Sequence, residues 1–249
     1  MKIIDCIWEV ENLGDRTAEV IVEKGDAFQK ESFEEIERKY SYVVVKVPMK
    51  QVEYNWGLSH LGYIFSEIQC KLSKKFCDFN FNDKFIKMVY DAIDFKEIHD
   101  EQLFNEVIEN ITPNMFSTDR ITLDPYYGPE IGCQRYKNWM RTAFDKKTAK
   151  FIASYYKNQL SGFSMYRKDK DIVDGIFGGN FQDFQSSALG IITPTRHFLY
   201  AQKNNVPFKK YHTSISSNNV PVWQLYNYLN YKIDQLYYVF VKHIKNDTI

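Results

Sequence analysis

The chain has 249 residues, 32 basic and 32 acidic, so its formal net charge is zero, and 44% of it is hydrophobic. That composition is ordinary for a globular protein, and the balanced charge argues against the concentrated basic face of a nucleic-acid binder. No stretch approaches the ~20 apolar residues of a membrane span, and the N-terminus, Met1-Lys-Ile-Ile-Asp-Cys-Ile-Trp-Glu9, meets charge too early for a signal peptide. Cys6, Cys70, Cys77 and Cys133 lack close metal spacing and read as reduced thiols of a cytoplasmic protein, with no metal site.

In chain order, Ile3 to Trp8 and Ala18 to Val22 read as strands. Glu31 to Lys39 is a charged surface helix with Phe33 and Ile36 on its apolar line. Tyr42-Val-Val-Val-Lys-Val47 is a buried strand ended by Pro48. Leu58 to Leu61 sits in a short helix ended by Gly62, and Ile64 to Leu72 alternates as a half-buried strand does. Residues 74–118 are helix-rich, with apolar spacing of three and four in Asn82–Tyr90 and Asp100–Ile108, and Asp100 as N-cap. A domain boundary is placed there, near residue 80.

Glu130 to Phe144 reads as a helix carrying Tyr136 and Trp139. Three antiparallel strands follow, Ala149–Tyr156, Leu160–Arg167 and Asp171–Asn180, joined by the polar turns Lys157-Asn-Gln and Lys168-Asp-Lys. Two glycines, Gly178 and Gly179, end the last strand before Asn180, and such a pair marks a bulge or a close backbone approach.

The loop Gln185-Ser186-Ser187-Ala188-Leu189-Gly190 then opens a helical stretch to about Asn204. Small residues before a helix leave backbone N–H groups pointing outward at its positive end, which suits a phosphate. The same residues also serve as an ordinary cap. Strand His212–Ser216, Asn218-Asn219, a helical stretch Val222–Leu229 and strand Ile233–Val241 close the chain.

The spacing Asn219-x-x-Val222-x-x-Leu225-Tyr226, with Asn230-Tyr231 after it, resembles the closing motif of the GNAT superfamily of acyl-CoA transferases. Gln185-x-x-Ala188-x-Gly190 resembles that family's pyrophosphate loop. Upstream, Asp124-Pro-Tyr126, Tyr136-Lys-Asn-Trp139 and Ser161-Gly-Phe163 resemble amino-sugar N-acetyltransferases of the dTDP-fucosamine type. Ala188 stands where the family has Gly, Gln182 where Pro is common, and Asn230 where Gly precedes Phe. Asn is the next best residue for a left-handed backbone. Pro194 fits a helix's first turn and would kink the helix if it lay deeper.

The resemblance implies an α+β fold, an α/β mixed sheet of the GNAT type. Residues 81–249 would form the acetyltransferase domain and 1–80 a partial GNAT-like α/β domain. The chain's own pattern supports the second part. Val45-Lys-Val47 to Leu61-Gly-Tyr63 to Ile68 echoes Thr213-Ser-Ile215 to Leu229-Asn-Tyr231 to Leu236 at one offset, 168 (231 − 63). In that register Tyr226 answers to Leu58 and Asn219 to Gln51. The alternative is that any two strand–helix–strand units look alike.

By resemblance, acetyl-CoA (coenzyme A) is the donor and a small amine the acceptor, an amino-deoxy sugar on a nucleotide in the resembling subfamily. A homodimer is one assembly this allows. Tyr226 would protonate the leaving thiolate, and a phenol with pKa near ~10 has that proton at neutral pH. Backbone N–H groups at Gly178, Gly179 and Asn180 would meet the thioester carbonyl and the pantetheine arm. Gln185, Ser186, Ser187, Ala188, Leu189 and Gly190 would hold the pyrophosphate, and Asn219 would hold the pantetheine or orient the strand. The general base is open among His197, Asp124, Glu130 and Asp183. Two other readings stand beside this one: a non-catalytic GNAT-like module that binds CoA or a protein, and an enzyme of the same type acting on a protein or peptide amine.

Overall fold

The computed structural model describes residues 1–79, 81–82, 84–185 and 188–244. The first third comprises β1 (Lys2–Asp5), α1 (Glu9–Leu13), β2 (Thr17–Ile21), α2 (Lys30–Glu37), β3 (Tyr42–Pro48), α3 (Val52–His60) and β4 (Ile64–Lys75). The middle holds α4 (Lys84–Asp91), β5 (Ile93–Glu97), α5 (Glu101–Glu109), a 3₁₀ turn (Pro113–Phe116), α6 (Arg120–Leu123) and α7 (Gly128–Asp145). Then come β6 (Lys150–Tyr156), β7 (Gln159–Asp169), β8 (Ile172–Asn180), α8 (Gln182–Gln185), a second 3₁₀ turn (Ala188–Ile191) and α9 (Ile192–Asn204). The chain closes with β9 (Lys210–Ser216), α10 (Val220–Tyr228) and β10 (Lys232–His243).

One mixed sheet of ten strands runs β1-β2-β3-β10-β4-β9-β8-β7-β6-β5. The strand alternation fixes which face each residue covers. Val43, Val45 and Val47 of β3 and Phe240 of β10 pack on Phe33 and Ile36 of α2 and Tyr54 and Leu58 of α3. Cys70 and Leu72 of β4, with Tyr211 and Ile215 of β9, pack on the same face against α9 and α10. On the opposite face Tyr42, Val44, Val239 and Val241 meet α1 and α6 through Leu13 and Ile121. There α5 and α7 cover Phe151, Ala153, Phe163 and Met165. Buried on both faces, β3 needs its run of β-branched residues.

The sheet reads the same outward from its centre in both directions. β10 is followed by β3, β2 and β1, and β4 by β9, β8 and β7. β2–β3 and β8–β9 are parallel pairs, and every other pair among these strands is antiparallel. β3, α3 and β4 start and end 168 residues (210 − 42) before β9, α10 and β10. The helix ends agree in detail. Tyr63 N–H donates to Leu58 O and Tyr231 N–H to Tyr226 O, at 2.9 and 3.0 Å. Gly62 and Asn230 both turn left-handed, at φ 81° and 55°. β10 lies between β3 and β4, although both neighbours fall before residue 80. The two segments therefore trade their last strands across the centre.

The structure differs from the sequence expectations in a few places. The first strand stops at Asp5 rather than Trp8, because the chain turns there and starts α1. β5 lies in the helix-rich segment, between the two stretches of helical spacing, and pairs with β6 at the sheet edge. The loop from Gln185 does not run straight into a helix. A 3₁₀ turn intervenes, and α9 begins at Ile192, so Pro194 sits in its first turn. Asp100 caps α5 as expected, accepting from Leu103 N at 2.8 Å.

Candidate functional site

β8 and β9 pair only from Ile172–Lys210 to Asp174–His212, then part. β8 stays with β7 as far as Asn180, and β9 stays with β4 as far as Ser216. Their counterparts β2 and β3 remain paired from Thr17–Tyr42 to Ile21–Lys46. Two features open the gap. The β7–β8 register shifts between Met165–Phe177 and Tyr166–Gly175, leaving Ile176 without a partner, a β-bulge. Beside it the Tyr211 phenol lies against Gly175, where a Cβ would come within 1.9 Å of its oxygen. The residue equivalent to Tyr211 at the 168 offset is Val43, which cannot prise two strands apart.

Gly175→Ala is therefore expected to destabilise the fold by about 1–3 kcal/mol, as overpacking does. In a Tyr211→Leu background the cost should largely disappear. Urea denaturation of both singles and the double checks it. A Gly175→Ala cost under about 0.5 kcal/mol would refute the wedge.

A cavity of about 590 Å³ fills the gap. On the α9–α10 side it is lined by Ser164, Asn180, Gly190, Arg196, His197, Tyr211, Thr213, Asn219, Leu225 and Tyr226. Tyr226 is 7% exposed. Burial pushes its phenol up to about 12, with the Thr213 and Tyr211 hydroxyls and the Arg196 charge pulling it back. At neutral pH it holds a proton it can donate.

Arg196 is 1% exposed. Its guanidinium donates to Phe163 O at 2.6 Å and to Asn180 Oδ1 at 2.8 Å, so it ties β7 to the end of β8. No carboxylate forms an ion pair with it among the described residues, and burial draws it down to about 10. It leaves a positive charge beside both phenols. His197 Nε2 lies 2.7 Å from Ser164 Oγ. Burial, then the Arg196 charge, draws its imidazole down to about 3.

His197 therefore stays neutral in the folded chain, whereas the unfolded chain takes up its proton near the ordinary histidine value. Above about pH 6.5 both states are neutral and no pH dependence follows. As pH falls from there towards about 3 the unfolded state gains a proton the folded state refuses, and stability falls. His197→Asn should flatten that slope. Urea midpoints at about pH 6.5 and about pH 4.5 test it, and equal slopes in parent and variant would refute it.

The other residues singled out from the sequence are placed as follows. Gly178 meets the backbone closely, since a Cβ there would lie 2.5 Å from Phe163 O. Gly179 lines the cavity. Asn180 Nδ2 donates to Leu189 O at 2.9 Å and so anchors the 3₁₀ turn. Gln185 Nε2 reaches Asn180 O at 3.4 Å. Ala188 begins the 3₁₀ turn, and Gly190 is open, with nothing within 4 Å of a Cβ. Ser186 and Ser187 lie outside the described residues. Asn219 lines the cavity, but its Oδ1 accepts from Val222 N at 3.3 Å as the N-cap of α10.

Three of the four residues open as a general base are not in the cavity. Asp124 pairs with His243 Nε2 at 2.8 Å, Glu130 is exposed on α7 and Asp183 is exposed on α8. His197 is in the cavity, but a site this reluctant to charge its imidazole makes it a weak base. The structure supplies a group the sequence reading missed. Glu67, 4% exposed, lies on the α6–α7 side of the same cavity, with Gln69, Ser214 and Ser216 on its strand level and Asp119, Arg120 and Tyr136 facing them. Alternation in β4 marks Glu67 as pointing away from Cys70. Only the covering helix makes that face an interior.

The equivalent gap in the first third is closed. Phe28 lies against α3 so tightly that a Cβ on Gly57 would come 2.4 Å from its ring. Gly57 is the counterpart of Leu225, which lines the open cavity. Phe28, Phe33 and Tyr54 pack ring to ring there.

No protein-family model and no curated protein sequence matches the chain. Solved structures do. A GCN5-related N-acetyltransferase from Kribbella flavida matches at a TM-score of 0.56 and 8% identity, over 91% of this chain and 80% of that one. A tandem GNAT protein from the clavulanic acid biosynthesis pathway, solved without acetyl-CoA, matches at 0.52 and 9% identity, over 93% and 76%. A GCN5-related N-acetyltransferase from Sphaerobacter thermophilus matches at 0.54 and 8% identity over 82% of this chain, which spans 60% of that protein's length. The chain has the GNAT fold, a mixed α/β architecture.

Proposed function

We propose that the protein is an acyl-CoA-dependent N-acyltransferase with acetyl-CoA as donor. The observation that carries this reading is the buried, protonated Tyr226 at the point where β8 and β9 part, in a chain of GNAT fold. The residues present fit the cofactor. The parted strands expose backbone along β8, and Gly190 leaves room at the turn that would meet the diphosphate. Bound there, acetyl-CoA would supply a thioester carbonyl open to attack by an amine.

The chain's own groups have these roles. Of the N–H groups at Gly178, Gly179 and Asn180, those on the edge of β8 turned away from β7 orient the pantetheine arm and the carbonyl. The segment Gln185 to Gly190, including Ser186, Ser187, Ala188 and Leu189, holds the diphosphate, with α9 behind it. Asn219 shapes the pantetheine channel by capping α10. Glu67 takes the proton from the acceptor ammonium. As the N–C bond forms and the C–S bond breaks, Tyr226 gives its proton to the departing sulfur, Arg196 steadies the phenolate left behind, and the second proton lost by the acylated nitrogen restores the phenol.

Residues 1–80 are read as a partial second copy of the fold, whose own cofactor gap is filled by Phe28. The amino-deoxy sugar nucleotide implied by resemblance remains one acceptor to test. Incubation with acetyl-CoA and a panel of amines, following free thiol, tests the activity. Amine-dependent thiol release is expected. CoA binding without release by any amine would favour a binding-only module.

A further inference from the structure

The α6–α7 side of the cavity has a charge pattern that bears on the acceptor. The Glu67 carboxylate makes one ion pair, to Arg120 at 3.8 Å, and no side-chain hydrogen bond among the described residues. Arg120 is itself shared. Tyr42, Asp119, Glu67 and Glu19 all act on its guanidinium, which they hold above its ordinary value against the opposing effect of burial. Its Nε has no hydrogen-bond partner.

The neighbouring charges cancel in pairs. Lys46 and Glu19 lie 2.8 Å apart, and Arg135 donates to Glu9 at 2.9 Å. Asp119 accepts from the Tyr136 hydroxyl at 2.9 Å and from Ile121 N at 2.9 Å, neither of them a charge. Arg120 therefore faces two carboxylates, and the α6–α7 side of the cavity has one carboxylate more than it has cations, the unpaired Arg196 lying on the α9–α10 side. Burying an uncompensated carboxylate is costly, so a ligand that brings a cation is favoured.

The opposite wall is aromatic. Phe116, Tyr136 and Phe177 pack against one another at tilted and edge-on angles, with centroids 4.2 Å apart for Phe116–Tyr136 and 4.8 Å for Tyr136–Phe177. All three line the cavity. A carboxylate and aromatic rings lining one cavity are a setting for an ammonium group, and the Arg135 guanidinium, 5.8 Å from the Tyr136 centroid, already uses one of these rings in that way. It is a poor one for a phosphate, because the three cations on this side, Arg120, Lys46 and Arg135, already face carboxylates.

We propose that this chamber is the acceptor site and that it takes a compact cationic amine, the ammonium seated between Glu67 and the aromatic wall, in preference to a nucleotide-linked amino sugar. The inference rests on the acyltransferase reading, since it names that reaction's acceptor.

Calorimetric titration tests it, with 1,4-diaminobutane and with a nucleotide-linked amino sugar, each with and without saturating CoA. Parent and Glu67→Gln are compared. The diamine should bind the parent, and the isosteric Glu67→Gln should weaken it at least tenfold while CoA affinity is kept. The amino-sugar nucleotide should give no heat at the same concentration. Diamine binding that is absent, or unchanged in Glu67→Gln, overturns the proposal, as does tighter binding of the nucleotide sugar. Diamine binding lost in Glu67→Gln, in a protein that does not bind CoA at all, would keep a cation site and overturn the acyltransferase reading on which the acceptor role depends. Should Glu67→Gln fail to fold, Phe116→Ala on the half-buried 3₁₀ turn must weaken the diamine in its place, and unchanged binding there counts against the proposal equally.

Discussion

Replacing Tyr226 with phenylalanine is expected to lower kcat by about 10²–10⁴-fold, the usual worth of general acid catalysis. The ring stays, so the packing around it stays. What goes is the hydroxyl, whose partners are the Thr213 and Tyr211 hydroxyls. Those two can still bond to each other or to water, so the stability cost should stay near the ~0.5–1.5 kcal/mol of one hydrogen bond. CoA affinity should change little, because the turn at Ala188–Ile191 and the end of β8 are untouched. A tyrosine that served packing alone predicts the reverse: turnover kept and melting temperature lowered. Steady-state turnover with an active amine and a thermal melt on the same sample separate the two. A kcat within twofold of the parent would remove Tyr226 from the chemistry.

The second large effect concerns the cofactor. Gly190 lines the cavity, has nothing within 4 Å of a would-be Cβ and does not need a positive φ. Gly190→Asp should therefore fold as the parent does. Its carboxylate would face the diphosphate, and repulsion of about 1.4–3 kcal/mol between charges a few ångströms apart at an exposed rim corresponds to about tenfold to hundredfold weaker CoA binding. The loss should shrink as salt is raised. Gly190→Asn, similar in shape and uncharged, should bind nearly as the parent does. Equal affinity of Gly190→Asp and parent would place the diphosphate elsewhere.

Much of the second half could be read from the sequence because local signals there agree. Polar turns separate β6, β7 and β8, the Gly178-Gly179 pair marks a close approach, and the helical spacing of Val222–Leu229 announces α10. The echo at offset 168 was also visible, and three consecutive elements share it residue for residue. What it could not reveal was the exchange of β4 and β10 across the sheet centre. That pairing joins residues far apart in the chain, such as Leu236 and Cys70, and the alternation in either strand is satisfied by other neighbours. β5 was missed for a related reason: its five residues are an edge strand, held by β6 alone.

The acceptor chamber was the least legible part. Glu67 in an alternating strand reads as solvent-facing, and nothing in Arg120-Ile-Thr-Leu123 says that α6 will cover it. Arg196 was likewise hidden, as one residue of the helical stretch that runs to about Asn204. Both become visible when tertiary contacts show a charge buried without its usual partner.

The central claim is that an acyl-CoA lies in the gap between β8 and β9 and not in its closed counterpart between β2 and β3. Hydrogen–deuterium exchange with and without acetyl-CoA tests this most directly, because bound backbone is protected where it is held. Slower exchange is expected in residues 175–180 and 188–197, with residues 17–48 unchanged. Protection confined to 17–48, or no protection at any acetyl-CoA concentration, would contradict the account.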